Sequence, residues 1–322
     1  MGESAATSRL MVLTGNANPA LAEALCADLG VQLGNANVSR FPDGEIEVKV
    51  RDDVRGADVF IVQPTCAPPN ETLMELLLLI DSVERASAHR VTAVMPYYGY
   101  ARKDRKDEGR VPIAAKVVAN MLTTAGVDRV LTMDLHAPQI QGFFDIPVDH
   151  LYARPVLLRY IRSLKLENLV CASPDLGSMK MAIGYSNMLE TDVASCHKQR
   201  IGDTEVKINA VVGEVAGKNV LIVDDLVASG SSLAEACRVL KDAGALDIYV
   251  CATHAVMCGD AFKTLGDAPI EKVIVTDTIP LPDSGVPDNF TVVSVAGFLA
   301  EAIKRIHMNM SVSRLFNNDG GV

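Results

Sequence analysis

Two adjacent carboxylates, Asp224 and Asp225, directly follow the apolar run Val220 to Val223, and the small-residue stretch Ala228-Ser-Gly-Ser-Ser232 comes three residues later. An apolar run without alternation is what a parallel strand covered on both faces requires. Ligands of open α/β sheets collect at the carboxyl ends of such strands. Small residues let several backbone N–H groups point into one concavity, and the helix expected from about Leu233 adds the positive end of its dipole. Such a loop suits a phosphate monoester, and the two carboxylates suit a pair of sugar hydroxyls, so the pattern points to a phosphorylated ribose. An ordinary strand–turn–helix with a serine N-cap would share it.

Four other stretches carry chemistry by type and spacing. Tyr97 to Arg110 holds five basic residues directly after an apolar run; Arg and Lys there can clamp polyphosphate, or simply form a solvated charged loop. Asp134 and His136 stand at the end of the next expected strand, two apart and so on one face, where a carboxylate and an imidazole could hold a metal directly or through water. Asp175 precedes a Gly-Ser helix start, which reads equally as a strand-end ligand or as a plain helix cap. His197-Lys-Gln-Arg200 opens a polar segment to Asp203 whose two cations could close over a reacting phosphate. Of the remaining histidines, His89 and His307 read as surface residues, and His254 as a satisfied core histidine at the end of an apolar strand.

The elements that would position these groups alternate. The pattern predicts strands at residues 10–14, 58–63, 91–96 and 129–133, and helices at 19–29, 70–87, 112–125 and 152–164. Residues 38–50 form an alternating segment broken by Phe41-Pro-Asp-Gly44. Strands alternating with helices imply a parallel sheet wrapped by helices. Val54 to Val62 matches Val215 to Val223 in pattern position for position, each followed by loop, helix and strand, which indicates an internal duplication with a period of about 160 residues. The expected division is an N-terminal α/β domain over 1–150 and a C-terminal one over 151–322, with the C-terminal tail able to pack back on the first. Ligands of such a pair usually sit between domains.

Composition narrows the classes. A length of 322 residues suffices for two domains, and 49% hydrophobic content without Trp favours aliphatic helix-and-sheet packing. A net charge of −10 argues against a nucleic-acid or anionic-membrane binder. The seven cysteines are scattered, mostly in apolar runs, which fits buried thiols in a reducing compartment. Met1 to Arg9 lacks signal-peptide character and no apolar run reaches spanning length, so a cytoplasmic protein is expected.

The stretch Asp224 to Ser232 resembles the phosphoribosyl-diphosphate loop of phosphoribosyltransferases and ribose-phosphate diphosphokinases. Ala228, Ser229, Ser231 and Ser232 stand where that loop usually has Asp, Thr, Gly and Thr. Together with Gly15-Asn-Ala-Asn18, Arg40-Phe-Pro-Asp-Gly-Glu45, Gln63-Pro-Thr-Cys-Ala-Pro68, Asp134-Leu-His-Ala137, the stretch from Gln139 to Asp149, Thr276-Asp-Thr-Ile-Pro-Leu281 and the tail from Ser311 to Phe316, nearly the whole chain resembles the ribose-phosphate diphosphokinase family. The resemblance implies two phosphoribosyltransferase-like domains, each a mostly parallel sheet flanked by helices. It also implies transfer of the β,γ-diphosphoryl group of ATP to the C1 hydroxyl of ribose 5-phosphate, with Mg²⁺ bridging the phosphates and AMP leaving. Phe41, Asp43 and Glu45 would line an adenine site contributed by a neighbouring subunit. Arg102 matches the ATP-binding arginine, and Lys103 stands where Gln is usual. Asp134, His136 and Asp175 match magnesium-associated positions, and Lys198 and Arg200 match the catalytic flexible loop. Asp224 and Asp225 match the ribose-hydroxyl partners, with Arg200 also on the sugar side and Ala228 to Ser232 as the 5-phosphate loop. Arg55, Ser87, Ser311 and Ser313 fit an allosteric phosphate/ADP site. Asp53 replaces a serine found in some phosphate-activated members, so phosphate activation should be weak. The segment Ser173 to Met181 stands in place of a Gly-Gly-Val-Val-Arg-Ala run. Dimers assembling into hexamers are implied as well.

Two other functions fit parts of this pattern. A non-catalytic regulatory subunit of a synthetase would explain the altered sugar loop, but has little reason to keep Lys198, Arg200 and the paired carboxylates. A base-specific phosphoribosyltransferase shares only the diphosphate loop and needs no second domain of this kind.

Overall fold

The computed structural model describes residues 8–201 and 205–317, and side chains throughout these except over 197–210 and 316–317. The chain divides into two compact units, Met1–Tyr152 with Val295–Val322, and Ala153–Ser294.

The first unit contains β1 (Leu10–Thr14), α1 (Pro19–Leu29), β2 (Ala36–Arg40), β3 (Ile46–Val50), β4 (Asp58–Val62), α2 (Pro69–Arg85), β5 (Arg90–Met95), α3 (Ala114–Ala125), β6 (Arg129–Met133) and β7 (Val148–Leu151). Its sheet runs β1-β4-β5-β6-β7, every pair parallel. β2 and β3 form a separate antiparallel hairpin, which accounts for the alternation at 38–50. The α2 residues Leu73, Leu76, Leu79, Ile80 and Val83 recur at helical spacing and are buried in the core of this unit.

The second unit contains α4 (Arg154–Ser163), β8 (Leu169–Ser173), α5 (Met179–Leu189), β9 (Asp192–Ile201), β10 (Glu205–Val212), β11 (Asn219–Val227), α6 (Ser231–Asp242), β12 (Ile248–Ala255), α7 (Ala261–Gly266), β13 (Lys272–Thr276) and β14 (Phe290–Val293). Its sheet order is β10-β9-β8-β11-β12-β13-β14, parallel except for the β9–β10 pair. Leaving out β9 and β10, β11 has the same place here as β4 has in the first unit.

The following helix α8 (Ala296–His307) belongs to the first unit, where it packs against α1. An ion cluster fixes it there. Asp58, 1% exposed, accepts from Arg90 Nε at 2.8 Å and Nη2 at 2.5 Å, and its Oδ2 lies 2.8 Å from His307 Nδ1. The surface position expected for His307 is thus corrected: its ring faces a buried carboxylate. A carboxylate removed from water needs this many partners to remain tolerable. Among the described residues no helix is long and apolar enough to cross a membrane.

Candidate active site

In the second unit β11 does not stop before the acids. It continues through Asp224 and Asp225 to Val227, pairing Asp224 with Ala252 and Leu226 with His254 of β12. α6 begins at Ser231, two residues earlier than expected, so Ser231 and Ser232 lie in its first turn. Its N-cap is Gly230 at φ 73°, where a Cβ would come 2.9 Å from Leu265 Cγ; both facts favour glycine. Gly230 has no side chain with which to cap this helix, so among the described residues its first N–H groups keep the capacity to bind an anion. The loop is held by Met257 N–H donating to Val227 O and Cys258 N–H to Ala228 O, each at 3.0 Å.

Asp224 Oδ1 accepts the Ser178 hydroxyl at 2.6 Å and the Asp225 N–H at 3.0 Å. Burial pushes the Asp224 carboxyl up to about 7; the Ser178 hydrogen bond pulls it down and the neighbouring Asp225 charge pushes it up again. Asp175 is half-buried and closes a turn ahead of α5: its Oδ1 accepts from Gly177 N–H at 2.9 Å and Ser178 N–H at 3.3 Å. β8 and β11 pair in parallel as far as Ala172 with Ile222, which brings the Asp175–Ser178 turn beside Asp224. The side chains of Lys198 and Arg200, and with them the expected catalytic cations, lie outside the described residues; their backbone belongs to β9, which the polar composition of the segment did not indicate.

In the first unit β6 ends at Met133. Asp134 follows at φ +38°, buried, its N–H bonded to Leu151 O at 2.9 Å, while His136 is exposed. The two therefore sit in a turn rather than on one face of a strand, which corrects the period-two placement. A non-glycine residue in the left-handed region is uncommon and persists where its surroundings fix it. His150, a residue the sequence did not single out, does part of that fixing: its Nε2 accepts the Leu135 N–H at 2.9 Å. The sequence offered little signal for it: His150 follows Asp149 in the short strand β7, Val148–Leu151. His254 is buried with its Nδ1 2.9 Å from Thr278 Oγ1, a satisfied core histidine as expected.

Arg102 and Lys103 are exposed in the loop after β5, with Lys103 paired to Asp107 at 3.1 Å. Phe41, 46% exposed, Asp43 and Glu45 form the tip of the β2–β3 hairpin, where Asp43 Oδ1 accepts the Glu45 N–H at 3.1 Å. Gly56 N–H donates to Ser87 O at 2.9 Å, which brings the Arg55 segment next to Ser87. Ser311 and Ser313 meet through their hydroxyls at 2.7 Å.

Two similar, mostly parallel sheets flanked by helices, one carrying an acidic pair at a strand end before a helix, define an α/β protein of phosphoribosyltransferase-like plan. Residues 10–126 match the N-terminal domain of ribose phosphate pyrophosphokinase, and residues 201–317 match the phosphoribosyl synthetase-associated domain. A ribose-phosphate pyrophosphokinase of Rhodopirellula baltica is 51% identical over 310 residues, 95% of this chain and 98% of the relative. One from Neisseria meningitidis is 48% identical, covering 98% and 97%. The crystal structure of phosphoribosylpyrophosphate synthetase from Mycobacterium smegmatis superposes with a TM-score of 0.89 at 39% identity, covering 94% of this chain and 100% of that one. The chain belongs to the ribose-phosphate pyrophosphokinase family.

Proposed function

We infer that the protein transfers the diphosphoryl group of ATP to the C1 hydroxyl of ribose 5-phosphate, giving 5-phosphoribosyl 1-diphosphate and AMP for nucleotide biosynthesis. The observation that carries this reading is the β11–α6 junction. There Asp224 and Asp225 supply acceptors for ribose hydroxyls, and the backbone of Ala228 to Ser232 supplies donors for the 5-phosphate. Lys198 and Arg200 take the role of neutralising charge on the transferring group, since phosphoryl transfer needs positioning and charge stabilisation rather than covalent help. Arg102 and Lys103 hold nucleotide phosphates. Phe41 offers an aromatic face to the adenine bound by a neighbouring subunit, with Asp43 and Glu45 beside it, in a dimer-based hexamer.

The residues present fit Mg²⁺. Among the described residues no group of three or more His, Cys, Asp and Glu side chains gathers as a protein cage. A site of one or two protein ligands completed by water and substrate phosphates is the usual way this ion is held. Asp134 and His136 in the first unit, and separately Asp175 in the second, are the residues the family resemblance offers to such an ion. When bound, it neutralises phosphate charge as a Lewis acid. Six of the seven cysteines are buried, and burial pushes the Cys26, Cys66 and Cys171 thiols up to about 11 and Cys237 to about 12. Such thiols are inert, which fits a reducing cytoplasm.

The test is incubation with ATP, Mg²⁺ and ribose 5-phosphate beside Lys198→Ala. AMP is expected only with sugar present, and is lost in the variant. ATP binding without AMP would transfer the assignment to a regulatory subunit of an active synthetase. Arg55, Ser87, Ser311 and Ser313 form the proposed effector site. There Asp53 places a carboxylate against an incoming anion, so millimolar phosphate at fixed Mg²⁺ should leave the rate nearly unchanged; a strong increase would refute the weak-activation assignment.

A further inference from the structure

Ser178 is the N-cap residue of α5, the place where a serine hydroxyl ordinarily accepts a hydrogen bond from the helix's own first turn. It does not do so here: no side chain of the N-cap residue caps α5, and the nearby N–H groups of Gly177 and Ser178 are taken by Asp175 Oδ1. The hydroxyl is thereby released from local duty. It donates instead across the sheet, 2.6 Å to Asp224 Oδ1, forty-six positions away in sequence. The turn that carries it is held close by Ser173 Oγ donating to Asp175 O. The same Asp224 oxygen also accepts the Asp225 N–H at 3.0 Å.

A carboxylate oxygen has two lone-pair directions, and on Oδ1 both are used. The carboxylate plane is then fixed by two donors, and the Asp225 side chain is hydrogen-bonded to the same carboxyl. Resting on the reading of Asp224 as a ribose-hydroxyl partner, we propose that Ser178 is a positioning residue, which orients the Asp224 carboxylate for ribose 5-phosphate. It lies within the segment that differs from the run usual in the family, so the role belongs to this chain's own residue. The hydroxyl would act through Asp224 and touch no reacting atom. Its removal should therefore weaken sugar binding and leave the nucleotide side and the turnover step alone.

The experiment is steady-state kinetics of the wild type, Ser178→Ala and Ser178→Thr, following AMP, with sugar and ATP varied separately. A hydrogen bond to an ionised group sets the expected scale at about a ten-fold rise in KM for ribose 5-phosphate in Ser178→Ala. The KM for ATP and kcat should stay within about two-fold, which separates binding from chemistry. Ser178→Thr keeps a hydroxyl at the same place and should restore the wild-type KM. An unchanged sugar KM in Ser178→Ala overturns the assignment. So does a rise that Ser178→Thr fails to reverse, or one shared equally by ATP, because each is what loose packing of the turn would produce. A wild-type chain that forms no AMP removes the underlying activity, and the assignment with it. A wild-type chain that turns over while Ser178→Ala keeps its sugar KM removes the assignment alone.

Discussion

The two halves use the same junction for opposite ends. Aligned through Val54–Val62 and Val215–Val223, Gln63 falls where Asp224 does, and α2 starts one position before the place where α6 does. In the second unit the helix begins at Ser231 behind Gly230, an N-cap with no side chain, next to the Asp224 carboxylate held by Ser178 and the Asp225 N–H. In the first unit the junction is filled. α2 opens on Pro68 as N-cap and Pro69, neither of which has an N–H to offer. Gln63, fully buried, donates to Glu75 Oε2 at 2.8 Å and accepts the Ala17 N–H at 3.2 Å. Asn16 donates to both oxygens of Glu75, at 3.0 Å each. Gly15 is packed so closely that a Cβ would come 2.6 Å from Gln63 Oε1. One copy of the unit leaves its helix start without a side-chain cap; the other closes its polar groups on one another.

The sharpest way to break that contrast is to mutate the equivalent positions. Asp224→Asn should lower kcat/KM for ribose 5-phosphate about a hundred-fold, corresponding to about 3 kcal/mol for a hydrogen bond to an ionised acceptor, with Tm unchanged or raised. Gln63→Leu should do the reverse. It leaves Glu75 buried with one donor fewer, at a cost of about 2 kcal/mol read as a lower Tm, while the sugar KM holds. If Gln63→Leu raised the sugar KM and Asp224→Asn lowered Tm, the two junctions would not have diverged as described.

A smaller effect lies in pH. The Asp224 carboxyl is raised from its ordinary 3.8 to about 7, chiefly by burial, so the folded protein holds a proton the unfolded chain releases. Its contribution to folding stability is complete below about pH 4 and is lost as pH rises through about 7. Sugar binding should run the other way, because the ionised form is the better acceptor: kcat/KM for ribose 5-phosphate should climb through about pH 7. A profile flat between pH 6 and 8 would refute the raised Asp224 carboxyl as the group that governs sugar binding. The smallest change is expected for Ser231→Gly. That residue lies in the first turn of α6, and the sugar KM should move less than about three-fold. Glycine there costs stability of about 0.5 kcal/mol.

The sequence made the junction legible because its signals are local. The apolar run to Val223, the doublet of acids and the run of small residues lie within fourteen positions, and the hairpin alternation around Phe41 is equally short-range. Contacts that depend on strand order were invisible. Nothing in the spacing of Ser178 and Asp224 announces a 2.6 Å hydrogen bond; it exists because β8 and β11 are neighbours. His307 ends a helix beside Lys304 and Arg305, which reads as a solvated terminus, and only the fold puts the ring on Asp58. The acids themselves concealed the length of β11, since a charged pair ordinarily signals that a buried strand has ended.

The placement of α8 bears on the order in which the chain can be finished during synthesis. The second unit is one continuous stretch, Ala153–Ser294, and can close as soon as that stretch has emerged. The first unit cannot. Until residues 296–307 are made, α1 lacks the helix that covers it and Asp58 has Arg90 but not His307. Domains that fold during translation do so as their residues become available, so the half that leaves the ribosome first is the half completed last. A chain cut after Tyr152 would carry every strand of the first sheet and still lack the helix that closes it.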